Sequence, residues 1–153
     1  MTVDRIEREI FIEAAPAVVF EVVSSPDHLR HWWPDDADFE PVAGSSGRIT
    51  FGDPDRGGAV AGFAVVEARA PRLFSFRWTH PVDQAAAPGN SLLVTFELIP
   101  SDGGTRLRMT ETGFREMDWE LQTLEAQYAD HETGWDHFLP RLVPYVAGLT
   151  VRR

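Results

Sequence analysis

The chain contains neither cysteine nor lysine. Without thiols it has no disulfide, thiolate nucleophile or zinc–thiolate site, and without lysine it has no amine for Schiff-base chemistry. Its 14 cationic side chains are therefore all arginine, and 24 carboxylates leave a formal charge of −10. The excess is concentrated: residues 111 to 137 hold eight acids and one arginine, a net −7. A phosphate backbone is repelled by such a surface, so no nucleic-acid partner is expected. Long apolar runs are missing too. No stretch approaches membrane-spanning length, and Met1 to Arg8 carry charges where a signal peptide needs an apolar segment. The expectation is a cytoplasmic protein with no membrane partner.

What is abundant is aromatic bulk. Five tryptophans and ten phenylalanines in 153 residues exceed what core filling requires and suggest wide flat surfaces. The length fits one domain, 1–153, with no linker or internal repeat. Ile6, Arg8, Ile10 and Ile12 alternate with polar neighbours as in a half-buried strand. Pro16 and Pro26 each favour helix entry, so two short helices follow, the first ended by Ser24-Ser25-Pro26 and the second by Pro34. From residue 38 onward, Gly-rich turns separate 48–52, 59–67, 73–80, 92–99 and 105–113, a meander of antiparallel strands. The last third is helical: Leu121, Leu124, Tyr128, His131, Trp135, Phe138, Leu142, Val146 and Leu149 recur at three- and four-residue steps, with Pro140 and Pro144 expected to kink the helix or end it early. A curved sheet under a long C-terminal helix is an α+β architecture that can leave a hydrophobic cavity between the layers.

This order of elements resembles the helix-grip fold of the START-like (SRPBCC) superfamily. The chain is similar, within it, to the family named after the activator of the heat-shock-protein ATPase. The resemblance rests on Ile12–Phe20, Trp32-Trp33-Pro34, Ala70–Trp78, Val94–Leu98, Gly104–Gly113 and Gly134-Trp135. It implies the fold. For function it implies a cavity for lipid-like or aromatic molecules in many members, cyclase, dehydratase or hydrolase activity in some relatives, and chaperone binding in the name-giving members.

Strand alternation puts Phe76 and Trp78 on the concave face with Phe96, Met109 and Glu111 on neighbouring strands. Trp32 and Trp33 close one end, and Trp135, Phe138 and Leu139 face the sheet from the helix. With Phe51 and Phe63 these are the expected ligand-binding residues. Glu111 stands out as a carboxylate in an apolar row, which needs a partner: an arginine such as Arg77 or Arg48, or a role as hydrogen-bond acceptor or general base. His80, in phase with Trp78, and His131, on the helix stripe, are the residues expected to join it at the pocket mouth.

Other motifs carry no chemistry. His28 and His31 are three apart, without the His-Glu-x-x-His pattern of a helical metal site, and are expected on the surface, with Asp35 and Asp36 on a solvated loop. Gly44-Ser-Ser-Gly47 is no nucleophile elbow. No metal or organic cofactor is implied. The reading is a binder of a small hydrophobic ligand, with a chaperone-associated module or an acid/base enzyme acting on a polyketide-like substrate as alternatives. Exposed sheet edges make a homodimer reasonable.

Overall fold

The first strand carries its alternation into the fold with one variation. The computed structural model describes residues 4–151, and β1 (Arg5–Ile12) buries Ile6 and Ile12 on the inner face. Arg8 lies in the same phase. Its guanidinium does not enter the core but reaches across to a helix, 2.6 Å from Asp136 Oδ1 and 3.1 Å from Glu132 Oε2. Those two carboxylates hold its pKa above the ordinary range, with the Asp136 hydrogen bond the largest cause.

Helices α1 (Pro16–Ser24) and α2 (Pro26–Trp32) each begin on a proline, whose missing N–H is not needed there. The next strand, β2 (Asp36–Asp38), lies where a solvated loop was expected. Its two acids point outward while Ala37 is buried, and Asp36 accepts from Arg30 Nε at 2.9 Å. The strand is three residues long, too short for alternation to announce it.

The remaining strands are β3 (Ser46–Phe51), β4 (Ala59–Arg69), β5 (Leu73–Trp78), β6 (Leu92–Ser101) and β7 (Gly104–Thr112). All pairings are antiparallel, in the order β1-β7-β6-β5-β4-β3-β2. The β5–β6–β7 ladder runs without a register shift, which keeps one face apolar: Phe76, Val94 and Glu111 form one rung, and Phe74, Phe96 and Met109 the next. All six are buried. Each large apolar side chain among them contributes about 1.5–3 kcal/mol of transfer free energy.

The final third is two helices. Helix α3 (Leu121–Phe138) buries Leu124, Tyr128 and Trp135, and Tyr128 donates to the Arg5 carbonyl at 2.7 Å, which ties the helix to β1. Leu121, expected on the buried stripe, is the first residue of α3 and is 66% exposed. Pro140 has no N–H for the carbonyl four residues earlier, so the chain tightens into a 3-10 turn at Leu139–Arg141 before α4 (Leu142–Val151). Pro144 sits in the first turn of α4, where a missing donor costs little. Leu139, Leu142 and Val146 stay buried across the break.

Candidate functional site

Between α3 and the β3–β4–β5 end of the sheet lies a cleft of about 610 Å³. Phe51, Ala59, Ala61, Trp78 and Thr79 line it from the sheet, Trp33 from the end of α2, and Asp130, His131, Gly134, Trp135 and Phe138 from the helix. Large rings flank the space and small residues open it. Ala59 and Ala61 leave the β4 wall low, and a Cβ added to Gly134 would meet nothing within 4 Å.

Trp33 reaches this position because α2 ends at Trp32 and Trp33, its C-cap, leaves the helical conformation. Its ring centroid lies 5.0 Å from those of both Trp78 and Trp135, and 5.9 Å from Phe51. Trp32 goes elsewhere: its ring is fully buried and its Nε1–H donates to the Val22 carbonyl, bracing α2 on α1. Phe63 is stacked between Phe39 and Phe76 at 4.3 Å on each side. Phe63, Phe76, Phe96, Met109 and Leu139 likewise belong to the closed core, so six of the twelve expected ligand-binding residues, with Trp32, are packing residues behind the cleft. The rest of that set, Trp33, Phe51, Trp78, Trp135 and Phe138, stands on its walls, and Glu111 underlies them.

Glu111 has 0% accessible surface. Neither Arg77 nor Arg48 pairs with it; its partners are three aromatic ring nitrogens. Trp78 Nε1 donates to Oε2 at 2.7 Å, and Trp135 Nε1 and His131 Nδ1 lie 2.9 and 2.8 Å from Oε1. Because an indole can only donate, both carboxyl oxygens act as acceptors. All three rings so held are cleft-wall residues. The imidazole is further confined by ring contacts to Trp78 at 5.3 Å and Phe114 at 5.6 Å.

His80 does not join this cluster. Thr79 has φ = +79°, which ends the β5 alternation and turns the next side chain away. The His80 ring lies against Gly62, on the face opposite the one that Ala61 and Phe63 present to the interior. It is 4% exposed with Nδ1 unpaired, and burial lowers its pKa below the ordinary value. His28 and His31 are not incidental either. His28 Nδ1 is 2.6 Å from the Tyr145 hydroxyl, and His31 stacks on the same ring at 5.3 Å, so the pair joins α2 to α4. Among the described residues no three His, Asp or Glu side chains are grouped as metal ligands would be.

Thr79 and Gly134 were absent from the expected site. A β-branched residue at positive φ is a backbone outlier, and the Thr79 hydroxyl is buried without a partner on the cleft wall. Nothing in a threonine's neighbours in sequence announces this. Gly134 did leave a signal: a glycine inside a helix costs about 1 kcal/mol relative to alanine and asks for a reason.

A seven-stranded curved antiparallel sheet with two short helices and a long helix laid across it defines a helix-grip protein of the START-like superfamily. The chain belongs to the family described as Activator of Hsp90 ATPase homolog 1-like protein, whose model matches residues 13–147. Among solved structures it is similar to protein MLL2253 from Mesorhizobium loti, at 22% identity and a TM-score of 0.72 over 94% of this chain and 96% of that one. It is similar to the Aha1 dimer from Colwellia psychrerythraea, at 23% and 0.69 over 93% of each. DynU16, a protein in the dynemicin biosynthetic locus, matches at 20% and 0.72 over 94% of this chain and 47% of that one. These likenesses show the fold alone. None of the curated proteins matches the chain.

Proposed function

We propose that this protein binds an apolar, aromatic small molecule in the cleft between β3–β5 and α3. The observation that carries the reading is the buried Glu111 carboxylate, which fixes three wall rings, Trp78, His131 and Trp135, from behind. A core that only had to be filled has no use for a buried carboxylate, since well-packed apolar groups serve stability as well or better. A site that must hold rings in set orientations does. Gly134 supports the reading, because the helix forgoes stability to leave space on the cleft wall. So does the shared fold with DynU16, which comes from a biosynthetic locus.

Native mass spectrometry of wild type and Gly134→Leu tests this. Leucine is a better helix former than glycine and its Cβ meets nothing within 4 Å, so the helix is kept while the rest of the side chain extends into the cleft. A small molecule retained by wild type and absent from the variant is the expected result. Retention by both, or a wild type that is empty and whose tryptophan emission is unmoved by naphthalene-type probes, overturns the proposal.

A chaperone-docking role is the second reading, favoured by the family description and by exposed acids on α3 such as Glu125 and Asp130. It requires capture of the chaperone at low salt, where charge-driven contacts are strongest, and no capture there removes it. Dimerisation, as in the Colwellia Aha1 dimer, is proposed through a sheet edge, β1 or β2; light scattering that gives the monomer mass of 17.2 kDa counts against it.

A further inference from the structure

The polar group that a ligand meets in this cleft is not Glu111. That carboxyl has no accessible surface, and its oxygens are taken by three ring nitrogens. The group it presents is His131. With Nδ1 turned onto Glu111, the imidazole has its other nitrogen, Nε2, free of any protein hydrogen bond among the described residues. The side chain keeps 10% of its surface accessible and lines the cleft. When Nδ1–H donates to the carboxylate, the neutral imidazole carries its lone pair on Nε2.

We infer that His131 Nε2 is the acceptor for a hydroxyl on a planar aromatic ligand, with Glu111 as the positioning residue that fixes the ring and its tautomer. The inference rests on the cleft-binding reading and names the ligand class for that site. Two observations point to a flat ligand whose polar substituent is neutral. The walls carry aromatic rings, Trp33, Phe51, Trp78 and Phe138, which suit a flat aromatic body. Asp130 on the rim, Glu111 beneath and the overall charge of −10 disfavour a carboxylate or phosphate ligand.

The test compares two probes of nearly equal shape, 2-naphthol and 2-methylnaphthalene, by calorimetric titration of wild type and His131→Asn. Asparagine keeps an N–H donor close to the position of Nδ1, toward Glu111, and has no atom where Nε2 was. The preference for 2-naphthol over 2-methylnaphthalene is expected to fall about tenfold in the variant, the factor that one hydrogen bond commonly supplies. The variant's affinity for 2-methylnaphthalene reports what the lost ring surface costs both probes alike, so the ratio of the two affinities reads the acceptor separately. A preference that is unchanged overturns the inference and leaves the cleft reading standing. Failure of wild type to bind either probe removes the cleft reading and the inference with it. Should the variant not fold, wild type alone decides: with no acceptor the more apolar 2-methylnaphthalene binds more tightly, and with one 2-naphthol matches or exceeds it.

Discussion

Replacing Glu111 by glutamine leaves one acceptor oxygen where there were two. If the amide oxygen takes the place of Oε1, it keeps Trp135 and His131, but the amide N–H2 then faces the Trp78 indole N–H. A buried donor left unpaired in this way costs about 2 kcal/mol. Glu111→Gln should therefore lower the urea midpoint without changing its slope, and weaken the near-ultraviolet circular dichroism of the tryptophans. His80 makes a prediction of opposite character. Its burial depresses the folded-state pKa below the ordinary 6.5, so over that interval the unfolded chain binds more protons. Stability from this group is thus full above the ordinary value and is lost as pH falls from about 7 through the depressed one, with no further change below it. Thermal unfolding between about pH 7 and pH 5 checks this, because His80→Gln should show a shallower decline than wild type.

Two glycines in regular elements are expected to respond to alanine with opposite sign. Gly134 is inside α3 with open space where a methyl would stand, so Gly134→Ala should raise stability by about 0.5–1 kcal/mol through helix propensity alone. Gly62 is on β4 beneath His80, and a Cβ there would run into the imidazole and the His80 carbonyl. Gly62→Ala should cost about 1–3 kcal/mol, the range for an overpacked site. Chemical denaturation of the two variants side by side provides the comparison. The helices themselves were largely readable: both entry prolines and the break at Pro140 act through a missing N–H, a property of the residue and not of its surroundings. β2 was not readable, because three residues give no period and its pairing with β3 is made by residues ten or more positions away.

For the molecule entire, binding in the cleft is coupled to folding by mass action. A ligand at a hundredfold its Kd adds about 2.7 kcal/mol to stability. For a chain of this length that is a rise in Tm of roughly 5–10 °C. Calorimetry with 2-naphthol should show this shift for wild type and little or none for Gly134→Leu. If residues 1–153 are one domain, as proposed from their length, the transition should be single and cooperative.

Alternation and helical spacing were sufficient to assign the α+β layers, the inward phase of Glu111 and the aromatic face around it, since a side chain's direction in a strand or helix follows from local geometry. Which aromatics fill the core and which border open space was decided only by packing: Trp32 and Trp33 are adjacent in sequence, yet one braces α1 and the other walls the cleft, because α2 ends at Trp32 and Trp33 leaves the helical conformation. Of the partners of Glu111, His131 was expected from the helix stripe and does reach it, 20 residues away, whereas the two indole donors, Trp78 on β5 and Trp135 on α3, 33 and 24 residues away, were out of reach of pattern. A single backbone torsion at Thr79 took His80 to the other face, and no periodicity carries past such a break. Direction is a local property of the chain; proximity between distant segments, and the empty volume they leave, is a property of the packed whole.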